Sequence, residues 1–186
     1  LFKLKDNGSL PKISDELGKR VRTNAESLIV VRVPGSTKDM SKGIAIGSGI
    51  HLSDNTHIEA TRYPAGSDFM GLMLTALTRP FLWAWVAMKI LLKNPIRAIK
   101  AQAPFGWAKE TIIFLCMQTI DGFINMRLRR LWYWPFRKAL VTDGERIPTF
   151  IPAANDFAEK GAELLGGLAG SSFPEIFFNT PTTAHC

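Results

Sequence analysis

The sequence predicts an α+β fold in which an antiparallel sheet is covered by helices. Three segments with the patterning of strands, at 27–33, 43–52 and 57–63, precede a helical middle region, further strands and a late helix. The strands and helices do not alternate one by one, as the βαβ units of a parallel sheet require. With 186 residues, 46% of them apolar, the chain is long enough to bury a sizeable core.

Turn residues and apolar periodicity place the individual elements. Pro34-Gly35 closes the first strand, and Pro152 lies in the first turn of the late helix, where proline is tolerated. Gly166 follows the last periodic residue of that helix and ends it. The predicted elements are a helical turn at Ser14–Leu17, strands at Ser27–Val33, Gly43–Leu52 and His57–Tyr63, one helix over roughly 81–101, a strand at Thr111–Thr119, a hairpin of Phe123–Leu131 and Phe136–Val141, and a helix within Thr149–Gly166.

Composition excludes several classes of protein. The apolar content is too high, and the net charge of +7 too balanced (23 basic against 16 acidic residues), for a disordered chain. Two cysteines exclude a disulfide-rich scaffold and a four-cysteine zinc module. Cys116 lies in an apolar run, where a buried and inert thiol is expected. The first residue is Leu1 and the last is Cys186, so we expect a fragment of a longer protein.

The positive charge is concentrated in the middle of the chain. Residues 69–140 hold eleven basic and two acidic side chains and all five tryptophans, which favours an anionic partner such as lipid headgroups or nucleic acid. The apolar run Phe69–Leu92 is long enough to cross a membrane, but Arg79, Pro80 and Lys89 interrupt it. A central arginine alone costs about 2.5–3.5 kcal/mol on insertion. A buried helix pair or an interfacial segment is therefore predicted instead of a span.

Few residues have the spacing of a catalytic motif. The chain lacks a G-x-G-x-x-G fingerprint, a P-loop and a G-x-S-x-G elbow, and the half zinc-deaminase pattern His57-x-Glu59 lacks its Cys-x-x-Cys. Strand alternation places His57, Glu59 and Thr61 on one face. Glu59 is either ion-paired, with Arg62 or another base, or held for proton transfer, and pairing is the commoner arrangement. His185 stands alone in a predicted loop, where it is either hydrogen-bonded or catalytic.

The basic and aromatic run Arg127–Trp134 (RLRRLWYW) permits three interpretations. It could stack bases and neutralise phosphates. It could be a hairpin whose rings cap a core while its arginines are solvated. It could also place Trp and Tyr at the level of lipid headgroups. The run alone does not separate these three.

Four motifs in order resemble the glucose–methanol–choline (GMC) oxidoreductases, in particular their cholesterol oxidase-like members, nearly from end to end. Each motif is weak alone, and the four together are specific. They are Leu17–Glu26 (LGKRVRTNAE), similar to the family's LG-x-x-V-x-T-N-x-E stretch; Thr56–Ser67 (THIEATRYPAGS), similar to its substrate-domain motif; Thr149–Asn155 (TFIPAAN), similar to W-I-P-x-A-N; and Asn179–Cys186 (NTPTTAHC), which resembles the start of T-A-H-x-x-G-G.

The resemblance implies a flavin-dependent enzyme that oxidises the CH–OH group of a hydrophobic alcohol, most of all a sterol, with FAD as cofactor. Glu59 matches the family's active-site glutamate, which shuttles a proton beside the steroid, including during double-bond isomerisation. His185 matches the histidine that hydrogen-bonds the substrate hydroxyl and assists its deprotonation. Asn24 falls in the matching Thr-Asn motif and is assigned to the substrate site on that basis.

The resemblance also implies a domain organisation. Residues 1–24 would end the connection from the flavin domain, residues 25–148 would form the substrate-binding domain with a helical insert at 69–110, and residues 149–186 would return to the flavin domain. The dinucleotide-binding fingerprint and the glycines after the histidine are not in this sequence. We therefore expect the chain by itself neither to hold FAD firmly nor to turn over.

A second hypothesis from another class is a non-catalytic membrane-surface binding module. Its anchors would be Trp83, Trp85, Trp132 and Trp134. In the enzyme hypothesis the same basic, Trp-rich insert is a lid or a peripheral docking surface on a membrane, and a cytoplasmic or membrane-peripheral location is expected. Nucleic acid is not expected as a partner, because nucleic-acid binding gives neither Glu59 nor His185 a role.

Overall fold

The structure is a computed structural model that describes residues 1–78, 82–93, 95–144 and 147–179. Two compact units divide the described chain: residues 1–24 with 120–147, and residues 25–119 with 148–179. The elements in chain order are α1 (Phe2–Asp6), β1 (Val21–Arg32), β2 (Ile46–Ser53), β3 (Thr56–Thr61), a 3-10 helix (Asp68–Met73), β4 (Leu74–Ala76), α2 (Trp83–Lys93), α3 (Pro95–Gln102), α4 (Trp107–Glu110), β5 (Thr111–Leu131), β6 (Trp134–Gly144), α5 (Pro152–Leu165), β7 (Leu168–Ser172) and α6 (Phe173–Phe178).

The first unit contains the β5–β6 hairpin. Its strands are antiparallel and pair Leu128 with Leu140. At the hairpin turn Trp132 is 91% exposed, and the neighbouring Tyr133 is also exposed. The interpretation of the run Arg127–Trp134 in which its rings cap a core is therefore wrong for these two residues. Arg127, in the same run, is ion-paired with Asp143 at 2.6 Å.

The second unit is built on a sheet with the strand order β2-β3-β5-β1-β7-β4. The strand pairs with a defined register in this unit are antiparallel, with Ile58 opposite Cys116 and Ile29 opposite Ser171. The predicted α+β class, a mainly antiparallel sheet with helices, is thereby confirmed. Whether this sheet is the substrate-binding domain of a larger oxidoreductase stays a prediction.

Helix α5 covers one face of this sheet. Its buried residues Ala154, Ala158 and Ala162 repeat every four positions, and such small side chains let a helix lie close to a sheet. Phe157 meets Phe114 of β5 edge to face, with ring centroids 5.1 Å apart. The predicted helix is confirmed, including Pro152 in its first turn and the left-handed Gly166 that ends it.

A smaller apolar cluster lies on the opposite face of the same sheet. Val30, Trp107, Ala108 and Ile113 are buried there, and Leu28, Met70 and Leu74 pack against them. The 3-10 helix and α4 supply part of this cover. Gly71 allows the approach, because a Cβ at this position would lie 2.8 Å from the Trp107 ring.

The predicted elements need correction in three regions of the chain. The single helix over 81–101 is two helices, because Pro95 has no N–H to donate and restricts the residue before it. The strands predicted at 111–119 and 123–131 are one continuous strand, since the backbone stays extended through Asp121 and Gly122. Residues 14–17 form a hydrogen-bonded turn instead of a helical turn, and the helix near the first residue, α1, was not predicted.

Candidate active site

Strand β3 places Glu59 between two paired strands, in the interior of the sheet of the second unit. Glu59 pairs with Gly49 of β2 and with Leu115 of β5. Directly opposite residues point to the same face, so Glu59 shares its face with Leu115 and, one pair further on, with Ile113. Ile113 belongs to the cluster around Trp107. The carboxylate is half-buried, while the alternate residue Ile58 is fully buried, as the predicted alternation requires.

No ion pair or hydrogen bond engages the Glu59 side chain within the described part of the chain. Arg62, which the sequence suggested as an ion-pair partner of Glu59, donates from Nη1 to the carbonyl of Lys42 instead. A Cβ on Gly43 would lie 2.6 Å from the same nitrogen, so the glycine makes room for the guanidinium. The pairing of Glu59 with Arg62 is therefore wrong.

Two histidines lie beside Glu59 on the β2–β3 ladder. His51 and His57 are directly opposite each other, and their ring centroids are 5.7 Å apart. His57 is two residues from Glu59, on the same strand face. Sequence analysis placed His57 on that face but did not connect His51 to it, because the register of two strands is not visible in either strand alone.

The Tyr63 ring links the end of β3 to the apolar cluster. It lies 6.1 Å from the Trp107 ring, centroid to centroid. Because Trp107 is buried and Tyr63 partly exposed, the stretch from Glu59 to Tyr63 runs along the border of the core. A carboxylate beside apolar and aromatic side chains suits a substrate with few polar atoms.

Asn24 lies in β1, in the first unit, and its side-chain oxygen Oδ1 is buried without a hydrogen-bond partner among the described residues. A buried acceptor without a donor costs free energy unless a ligand or water supplies one. This orphaned oxygen fits a donor group of a flavin or of a substrate. Sequence analysis assigned Asn24 on resemblance alone, and the orphaned oxygen is a separate observation about the same side chain.

His185 lies outside the described residues, so the structure gives no position for it. The last described residue is Asn179, which adopts a left-handed backbone with φ of 48°. The hydroxyl of Thr149 is 2.8 Å from its Oδ1, and both residues belong to motifs of the resemblance. The structure thus joins the first residue of one motif to the first residue of another.

The thiol of Cys116 is buried on β5. Burial raises its pKa from 9.0 to about 12, because a thiolate would lose its hydration there, and the carboxylate of Glu175 adds to the shift. A thiol of this kind is a weak nucleophile at neutral pH, which agrees with the expected inert role.

Comparison with known proteins finds relatives that share one name. It is 51% identical, over its whole length, to a protein named cholesterol oxidase from Acinetobacter baumannii, of which it covers 34%. It is 34% identical over its whole length to proteins of the same name from two strains of Mycobacterium tuberculosis, again covering 34%. No family model matches the chain, and no solved structure matches it.

The resemblance drawn from the four motifs is confirmed, since the relatives that the chain matches over its whole length carry the name cholesterol oxidase. The chain spans about a third of the length of these relatives. The alignment with each relative covers the whole chain and therefore includes all four motifs.

Proposed function

We propose that the protein containing this chain is an FAD-dependent oxidoreductase that acts on the CH–OH group of a hydrophobic alcohol, specifically a 3-hydroxysteroid. The observation that carries this proposal is the whole-length identity of 51% to a protein named cholesterol oxidase, together with an unpaired carboxylate at Glu59 inside the matching motif. The apolar border between Glu59 and Trp107 fits a substrate with one hydroxyl and a large hydrocarbon body.

In the proposed reaction the residues of this chain move protons. His185 hydrogen-bonds the substrate hydroxyl and takes up its proton as the alcohol becomes a ketone. Bound FAD would accept the hydride, and this is the redox chemistry that the chain itself does not supply. Glu59 takes a proton from a ring carbon of the product and returns it to another carbon, which moves the double bond with no net change in protons. Asn24 Oδ1 accepts a hydrogen bond that fixes the bound molecule.

The test of Glu59 is a Glu59→Gln substitution in the full-length protein. The amide keeps the size of the side chain but cannot take up the proton, so we expect movement of the double bond to slow by about 10²- to 10⁴-fold while oxidation of the hydroxyl, which uses His185, continues. Glu163→Gln is the matched control, because Glu163 is an exposed carboxylate on α5 and its removal should leave both steps unchanged. Equal rates of double-bond movement in the Glu59→Gln variant and the parent would contradict the assigned role.

A non-catalytic membrane-surface module is the competing function, and exposed aromatic side chains at Trp85 and Trp132 favour it. Within the described residues, no helix is both long and apolar enough to span a membrane. The competing function predicts a protein without flavin in which Glu59→Gln changes neither turnover nor lipid binding. The enzyme hypothesis predicts that Glu59→Gln abolishes movement of the double bond and leaves lipid binding intact, since peripheral membrane contact is a second property of the same protein.

A further inference from the structure

Helices α2 and α3 carry large apolar side chains on their exposed surfaces. The two helices pack on each other, and α2 also contacts β4. Leu92 is 78% exposed and Ile96 69% exposed, values expected of charged residues and not of a core. The exposed apolar side chains of this helix pair are Trp85, Met88, Leu91, Leu92, Ile96 and Ile99.

Lysines lie on the same helix faces as these apolar residues. Trp85, Lys89 and Leu92 are separated by one and two turns of α2, and the Lys89 Nζ lies 5.2 Å from the centroid of the Trp85 ring. On α3, Ile96 and Lys100 are one turn apart. Residues 69–109 hold six basic side chains and no acidic one. The helix pair therefore combines apolar, aromatic and cationic groups without a compensating charge.

A buried arginine anchors the chain where it returns from α3. Arg32, only 4% exposed, donates from Nη1 to the carbonyl of Ala103 and from Nη2 to that of Phe105, the latter at 3.0 Å. Its guanidinium also binds the Glu110 carboxylate at 2.9 Å. Glu110 in turn accepts a hydrogen bond from the Gly35 amide. Charge-assisted hydrogen bonds of this kind are stronger than neutral ones and fix the geometry of residues 103–110, the segment that follows α3.

A second carboxylate binds the segment that follows α3 to the segment that precedes α2. Asp68, at the start of the 3-10 helix, accepts from the backbone N–H of Gly106 at 3.0 Å and of Ala108 at 2.9 Å. Both ends of the segment are thus tied to each other and to the sheet, while the apolar side chains of α2 and α3 stay exposed. A pair of helices that is held firmly on the sheet and exposes apolar side chains suits docking onto a flat partner.

We propose that α2 and α3 form a docking surface for anionic phospholipid bilayers, held on the sheet by Arg32, Glu110 and Asp68. Aromatic and aliphatic side chains would enter the headgroup region while Lys89, Lys93 and Lys100 contact lipid phosphates. The inference rests on the proposed function in one respect: it gives the enzyme access to a sterol in a membrane. The absence of acidic residues from 69–109 favours an anionic lipid surface over a second copy of the chain, whose matching surface would carry the same positive charge.

The test is sedimentation of the full-length protein with phosphatidylcholine vesicles, with and without phosphatidylglycerol. Replacing Lys89, Lys93 and Lys100 together by glutamine should weaken binding to the anionic vesicles on the order of 100-fold. Replacing the exposed Lys12, Lys38 and Lys160 by glutamine removes the same charge elsewhere and should change binding by less than about threefold. Leu92→Ser with Ile96→Ser should weaken binding to both kinds of vesicle.

Three outcomes would overturn the docking proposal. These are equal binding of the parent and the first triple variant, equal weakening by both triple variants, and a dimer that dissociates on Leu92→Ser with Ile96→Ser and binds no vesicles. Turnover of detergent-dispersed cholesterol separates this proposal from the proposed function. Failure of the docking proposal leaves that turnover intact, whereas failure of the proposed function removes it from the parent while vesicle binding persists.

Discussion

The first part of β5 and helix α2 are both rich in apolar residues, yet they have opposite environments within the second unit. Ile113 and Cys116 of β5 are buried, in a strand that lies between β3 and β1. Trp85 and Leu92 of α2 are more than half exposed. The two segments differ in charge: residues 111–119 hold no charged side chain, whereas α2 carries Lys89 and Lys93 among its apolar residues.

This difference shows that apolar content alone does not indicate burial. In β5, apolar side chains on both faces of an interior strand are covered by other elements of the chain. In α2, Lys89 lies one turn from both Trp85 and Leu92 and would be costly to bury without an acidic partner, and residues 69–109 supply none. The sequence expectation of a buried helix pair is therefore wrong, and the alternative of an interfacial segment agrees with the exposed side chains.

The largest effect on stability is expected for a substitution among the buried strands β3 and β5. Ile58→Ala removes a side chain with no exposed surface, opposite Cys116, and should cost about 3 kcal/mol because a cavity is left between α5 and the sheet. Native-state hydrogen exchange of the β3 and β5 amides in the full-length protein measures the change without requiring a two-state transition.

Leu92→Ala is the matched substitution on the exposed helix α2. It removes a similar volume from a side chain that is 78% exposed and should change the same exchange free energies by less than about 0.5 kcal/mol. Comparable costs at Ile58 and Leu92 would mean that α2 is covered in the full-length protein, and the contrast between the two segments would be lost.

A smaller effect is expected from the Cys116 thiol. Its pKa of about 12 means that the folded state disfavours the thiolate, so this group contributes stability below the ordinary value of 9.0 and loses it as pH rises towards 12. At pH 8 the native protein should therefore leave Cys116 unmodified by iodoacetamide, and urea should make it reactive. Peptide mass spectrometry distinguishes Cys116 from other thiols, and rapid native labelling would contradict its burial.

Much of the sheet could be predicted from the sequence, because local patterns define its strands. Alternation placed Glu59 and Ile58 on opposite faces of β3, and Pro152 with Gly166 marked both ends of α5. What could not be predicted depends on pairing between distant segments. The contact of His51 with His57 needs a strand register, and the Arg32–Glu110 ion pair joins residues 78 positions apart.

The candidate site was predictable only in part, for a similar reason. Glu59 and Asn24 came from motifs, and the sequence could not show that Arg62 turns to the carbonyl of Lys42 and leaves Glu59 unpaired. The orphaned oxygen of Asn24 likewise depends on which donors surround it in the folded chain. A motif supplies the residue type at a position, whereas its partners are decided by the fold.

The proposed oxidation of a sterol by the full-length protein, with a bound flavin, can be followed in the visible spectrum of the protein. The measurement is the spectrum before and after anaerobic addition of cholesterol. We predict a flavin spectrum that is bleached by the steroid, because the hydride of the alcohol passes to the cofactor. A flavin that stays oxidised would contradict the sterol as substrate, and a folded, colourless protein would contradict the oxidoreductase itself.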